Sequence, residues 1–151
     1  MNMKSWLALL VVAGCISGCS TTPESRQDNQ VVNIPLTAGP QNAGQIAQAT
    51  LASQGDETAI SFFISGVPTG TTRPVHLYTY LYPGSCESRA AKPAYEMNQT
   101  VSTNQVNKRR GWTLSKKAPV ALSELRSGGY AIVVRTSPAD GNLDIFCGDI
   151  T

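Results

Sequence analysis

From Val31 onward, apolar and polar residues alternate in short runs broken by turn-forming residues. Residues 31–36 read as a short strand whose Pro35 suits an edge position, because proline has no N–H to give a neighbouring strand. A Gly-Pro-Gln-Asn-Ala-Gly cluster at 39–44 makes a turn. Residues 45–53 then carry Ala47, Ala49 and Leu51 on one face, and 58–65 return with Ile60, Phe62 and Ile64 at period two. After a break at 66–70, residues 75–82 form the next strand. Fainter alternation marks 95–101, and short strand candidates fall at 111–114 and 118–122. Residues 122–126 fit a single helical turn. The runs 130–136 and 143–150, separated by a turn at 137–142, finish the pattern. About eight short strands at intervals near ten residues, with no long helix, predict an all-β, Greek-key sandwich or flattened barrel of antiparallel strands.

The segment before this domain has a different character. Met1 to Lys4 carries one cation, and the apolar run that follows is shorter than the roughly 18 residues that span a bilayer. Residues 1–18 therefore read as an export leader. Two boxes of small residues ending in cysteine overlap here, Val12-Ala13-Gly14-Cys15 and Ile16-Ser17-Gly18-Cys19. Both resemble the processing box of bacterial lipoproteins, in which the thiol takes a diacylglycerol and becomes the mature N-terminus. Ser20 after Cys19, by resemblance to enteric lipoproteins, implies sorting to the outer membrane. Residues 19–30 are polar with no apolar period and read as a flexible tether, so the folded domain covers 31–151.

The four cysteines favour one of the two boxes. Lipidation at Cys19 discards Cys15 with the leader and leaves Cys86 and Cys147, which can pair in an oxidising compartment. Lipidation at Cys15, the alternative, follows the more apolar run but leaves an odd thiol. A zinc site is the rival reading of the paired cysteines. It lacks a Cys-x-x-Cys, and the chain has 1 His.

Composition removes other classes. A formal charge of +2 from 12 basic and 10 acidic residues is too slight for docking on nucleic acid. There is no glycine-rich phosphate loop and no nucleophile, base and orienting acid in a recognisable arrangement. Lys108-Arg109-Arg110 ahead of Trp112 suits either an anionic partner or a solvated hairpin tip.

The succession Gly44-Gln45, Ala49-Thr50-Leu51, Gly55-Asp56 and Thr58 is followed by Pro74-Val75-His76-Leu77-Tyr78 and Gly84-Ser85-Cys86. Further on come Gly128 to Arg135, Asp140-Gly141-Asn142 and Phe146-Cys147-Gly148-Asp149-Ile150. This series resembles the Cu/Zn superoxide dismutases and their periplasmic relatives over most of 31–151. The resemblance implies an eight-stranded Greek-key barrel and a disulfide between Cys86 and Cys147. It also implies a copper site fed by a His-x-His, where this chain has His76-Leu77-Tyr78, and by a further histidine where it has Arg135. A redox copper site needs several imidazoles, and a permanently charged guanidinium repels the cation. Dismutase activity, a resident metal and any other cofactor are therefore not expected, and neither is a catalytic residue.

Period two puts His76, Tyr78, Tyr80 and Tyr82 on one face of their strand, opposite Val75, Leu77 and Leu81. On the partner strand Ala131, Val133 and Arg135 face outward, and the geometry that the resemblance implies would bring Arg135 beside His76 and Tyr78 for cation–π stacking. Tyrosine and arginine are residues of binding hot spots, so His76, Tyr78, Tyr80 and Arg135 form a candidate binding face. The plainer reading is that these rings cover the sheet or pack beneath the long 83–104 connection. The expectation is a lipid-anchored envelope protein, facing the periplasm or the cell surface, that binds an envelope protein or has a structural role. Periplasmic copper or zinc binding at His76 is one alternative. An inhibitor or immunity-type lipoprotein acting on a hydrolase is another.

Overall fold

The structure, a computed structural model, describes residues 30–107 and 111–151. Both cysteine boxes, the tether as far as residue 29 and Lys108-Arg109-Arg110 lie outside the described residues. Nine strands and one short helix follow in order: β1 (Val31–Ala38), β2 (Ala47–Gln54), β3 (Glu57–Ile64), β4 (Leu77–Pro83), β5 (Tyr95–Glu96), β6 (Asn104–Gln105), β7 (Trp112–Ala118), α1 (Leu122–Ser127), β8 (Tyr130–Thr136) and β9 (Asp144–Ile150). Their spatial order is β5-β4-β8-β9-β1-β2-β3-β7-β6, all antiparallel, curled into a flattened half-barrel. The chain crosses between its two layers from β3 to β4, returns from β5 to β6 and crosses again from β7 to β8, which sets β4 beside β8, β3 beside β7 and β9 beside β1. The expected all-β, crossed-over architecture is the observed one, with β5 and β6 only two residues each.

The strands form where the alternation is cleanest. Ala49 pairs with Phe62 and Leu51 with Ile60, and Phe62 in turn pairs with Leu114 on β7. The inward members Leu51, Ile60 and Ile64 are fully buried against Leu77, Leu81 and Ile132 of the other layer. Burial of each such side chain contributes roughly 1.5–3 kcal/mol. β1 joins the layers: its residues from Val31 to Leu36 pair with β2, and only Thr37 and Ala38 reach β9. Pro35 thus sits in a stretch paired on one side, as its missing N–H requires.

Three local readings differ from the structure. No strand forms at 118–122, because Ala118 ends β7 and Leu122 opens α1. The turn between them is tied down where the Thr58 hydroxyl donates to the Val120 carbonyl at 2.8 Å. The 95–101 strand shrinks to β5, since the Asn98 side-chain oxygen accepts the Thr79 N–H at 2.8 Å in place of a backbone carbonyl. In β9, Val134 pairs with Phe146 but Arg135 pairs with Asp144, leaving Ile145 as an extra residue. Its carbonyl accepts the Gly39 N–H at 2.9 Å, so the bulge is anchored and Ile145 and Phe146 are both buried.

Cys86 and Cys147 are joined, with Cα atoms 5.9 Å apart and a sequence separation of 61. The bond fastens the start of the β4–β5 connection to β9, and the Cys86 N–H donates to the Asp149 carboxylate at 2.7 Å. Among the described residues, no helix is long and apolar enough to cross a membrane.

Candidate functional site

The tyrosine face is built by β4 and β8. Leu77, Thr79 and Leu81 point inward and are fully buried, while Tyr78 and Tyr80 occupy the opposite, half-buried face. Across the ladder Tyr78 lies opposite Arg135, and Tyr80 lies opposite Val133. The guanidinium does not stay over Tyr78. It sits 4.8 Å from the centre of the Tyr80 ring, donates to the Tyr82 hydroxyl at 3.3 Å and donates through Nε to Asp144 at 2.5 Å. The bulge at Ile145 supplies the reason, because it brings Asp144 opposite Arg135. His76 lies outside β4, half-buried, and bridges to Ser102.

A second guanidinium completes the cluster. Arg89, on the connection after β4, pairs with the other oxygen of Asp144 and lies 5.0 Å from the centre of the Tyr82 ring. That cover leaves Tyr82 only 5% exposed, and Ala131 and Val133, expected to face outward, are fully buried. The outer face of this layer is thus a second, smaller core made by the disulfide-tied connection. Burial pushes the Asp144 carboxyl upward, but hydrogen bonds and charge from Arg135 and Arg89 outweigh it and hold the group below its ordinary value. Burial likewise raises the Tyr80 phenol, against the opposing effect of Arg135.

A copper or zinc ion does not fit these side chains. Where the resemblance would place imidazoles stand Tyr78 and a guanidinium already engaged by Asp144. Among the described residues, no three His, Cys, Asp or Glu side chains converge on a point that could hold a metal ion. Arg89 and Asp144 instead line a shallow pocket of about 260 Å³ beside the disulfide.

Arg89, Asp144 and Lys116 escaped the sequence reading. Lys116 lies on the inward face of β7, in phase with Trp112, Leu114 and Ala118, and is 7% exposed. Its amine donates to the Thr100 carbonyl, and burial lowers its pKa to about 8. The strand candidates at 111–114 and 118–122 leave Lys116 between them, whereas a period-two count carried from Trp112 through Leu114 to Ala118 sets it inward. Asp144 had no comparable signal, since its position depends on the bulge.

Compared with family models, with curated proteins and with solved structures, the chain finds no match.

Proposed function

We propose that this chain is a lipid-anchored lipoprotein of a bacterial envelope, fastened through Cys19, whose disulfide-tied β-domain binds an envelope partner instead of catalysing a reaction. Dismutase ancestry without dismutase chemistry belongs to the same proposal. The observation that carries the binding reading is the placement of the Arg135 guanidinium on Tyr80, Tyr82 and Asp144. Held on two sides, it fixes Tyr80 as a rigid plate beside the half-buried Tyr78, and rigid aromatic anchors lose little entropy on binding. The same placement opposes metal chemistry, because it sets a cation where a ligand would have to stand.

The anchor reading is supported by thiol parity. Cys86 and Cys147 are consumed by one another, which suits an oxidising compartment and leaves Cys19 as the lone thiol of the mature chain. Crosslinking in native envelopes, followed by capture of the full chain, tests the binding role. Capture of a partner that falls severalfold in Tyr78→Ala or Tyr80→Ala supports the proposed face. Equal capture by wild type and both variants removes it. Arg135 is a poorer probe, because its removal also strips Asp144 of a partner.

A further inference from the structure

Lys116 stands in an unusual place for a lysine. It occupies a core-facing position on β7, yet no carboxylate lies within ion-pair distance of its amine among the described residues. Its one hydrogen-bond partner is the Thr100 carbonyl, on the connection that follows β5. The amine borders a cavity of about 430 Å³, within the range of small-molecule sites, which runs between β7 and the segment from Glu96 to Thr100. A buried lysine without a counter-charge holds a larger neutral fraction than an exposed one, and a neutral amine is a nucleophile.

The other charged groups bordering the cavity narrow the chemistry. Glu57 comes from β3 and is paired with Lys117 of β7 at 3.0 Å, and Glu96 comes from β5. With Glu57 neutralised by Lys117, which also lines the cavity, Glu96 is the carboxylate left to oppose a free anion, whereas an uncharged carbonyl compound meets no such opposition. We propose that Lys116 captures a small uncharged aldehyde in this cavity as an imine. The Nζ lone pair forms a C–N bond to the carbonyl carbon, and the C=O π pair moves to oxygen, which takes a proton. That proton comes from the nitrogen, and the second nitrogen proton leaves with the hydroxyl as water, giving a C=N bond. The sum is amine plus aldehyde giving imine plus water, with no oxidant or reductant. Because the cavity is open to solvent, water can carry the proton between nitrogen and oxygen.

The test uses the purified full-length chain with propanal as probe. Cyanoborohydride traps the imine as a secondary amine, and peptide mass spectrometry counts adducts at each lysine. An amine that titrates near 8 instead of 10.5 is neutral on the order of a hundredfold more often at pH 7. Part of that advantage is offset by lower intrinsic nucleophilicity and by burial. The expected result is labelling of Lys116 at least about threefold faster than of the exposed Lys92 at pH 7, with a rate that levels off above about pH 8. In Lys116→Met the fast adduct disappears while Lys92 labels as before. Because each lysine is counted in the wild-type chain, the outcome does not depend on how well that variant folds. Labelling of Lys116 less than about threefold faster than Lys92 overturns the proposal and leaves the amine as a tie between the two layers.

Discussion

Asp144 holds Arg135 at 2.5 Å from one carboxylate oxygen and binds Arg89 through the other, so a single carboxylate bridges two guanidiniums on the outer face of β8 and β9. Each guanidinium in turn covers a tyrosine ring, Arg135 over Tyr80 and Arg89 over Tyr82. Asp144→Ala removes the common partner and leaves two partly buried cations facing one another. The expected loss is about 1–3 kcal/mol, read as a lower denaturation midpoint in urea. A loss below about 0.5 kcal/mol, the level of an exposed ion pair, would show that the cluster does not hold this face.

The same carboxylate predicts acid sensitivity. Its folded pKa lies below the unfolded value of 3.8, so the folded state binds the proton less tightly. The stabilisation is complete above about pH 5 and is lost as pH falls through 3.8 toward the lower folded value. Wild type and Asp144→Asn should therefore converge in stability at the acid end. A difference that stays constant down to pH 2 would contradict the pairing.

Lys116 gives the opposite slope. Its folded pKa is about 8 against an ordinary 10.5, so between these values the unfolded chain holds more protons than the folded one. Relative to Lys116→Met, the wild-type chain should gain stability as pH rises from about 8 to 10.5, and the gain should be absent below pH 7. Parallel stability curves for the two proteins across that interval would mean that the amine is not desolvated in the fold.

The disulfide closes a long stretch of chain. With a sequence separation of 61 between Cys86 and Cys147, chain entropy puts its contribution at about 4 kcal/mol. Reduction, or the Cys86→Ala/Cys147→Ala pair, should lower the melting temperature by more than 10 °C and expose the Tyr82 ring to quenchers. Unchanged melting on complete reduction would show that the β4–β5 connection holds without it.

Gly148 marks the point where β1 crosses from β2 to β9. A Cβ there would lie 2.8 Å from the Pro35 carbonyl oxygen and 2.5 Å from a Leu36 methyl carbon. Gly148→Val should destabilise by about 1–3 kcal/mol through overpacking of this crossing. A neutral effect in thermal denaturation would mean that the two strands separate there easily.

The main frame follows from local pattern. Ala49, Leu51, Ile60 and Phe62 alternate with polar residues, so their strands and inward faces could be read without tertiary information. Cysteine parity pointed to Cys86 with Cys147 for a reason independent of geometry. What escaped depends on long-range contacts. Ile145 and Phe146 both turn inward because a bulge is pinned by Gly39, more than 100 residues earlier in the chain. Ala131 and Val133 are buried on the supposed outer face because a connection folds over them, a cover that period two cannot register. The geometry implied by the resemblance sets Arg135 beside His76 and Tyr78, whereas an ion pair to a residue beyond the next turn turns the guanidinium over Tyr80.

The anchored binding domain rests most directly on the chemistry of its first residue. Intact-mass and N-terminal peptide spectrometry of the chain extracted from bacterial envelope membranes should find Cys19 as residue one, carrying a diacylglyceryl group on sulfur, with Cys86 and Cys147 oxidised. A mature chain that keeps residues before Cys19, or that begins there without lipid, would contradict the account.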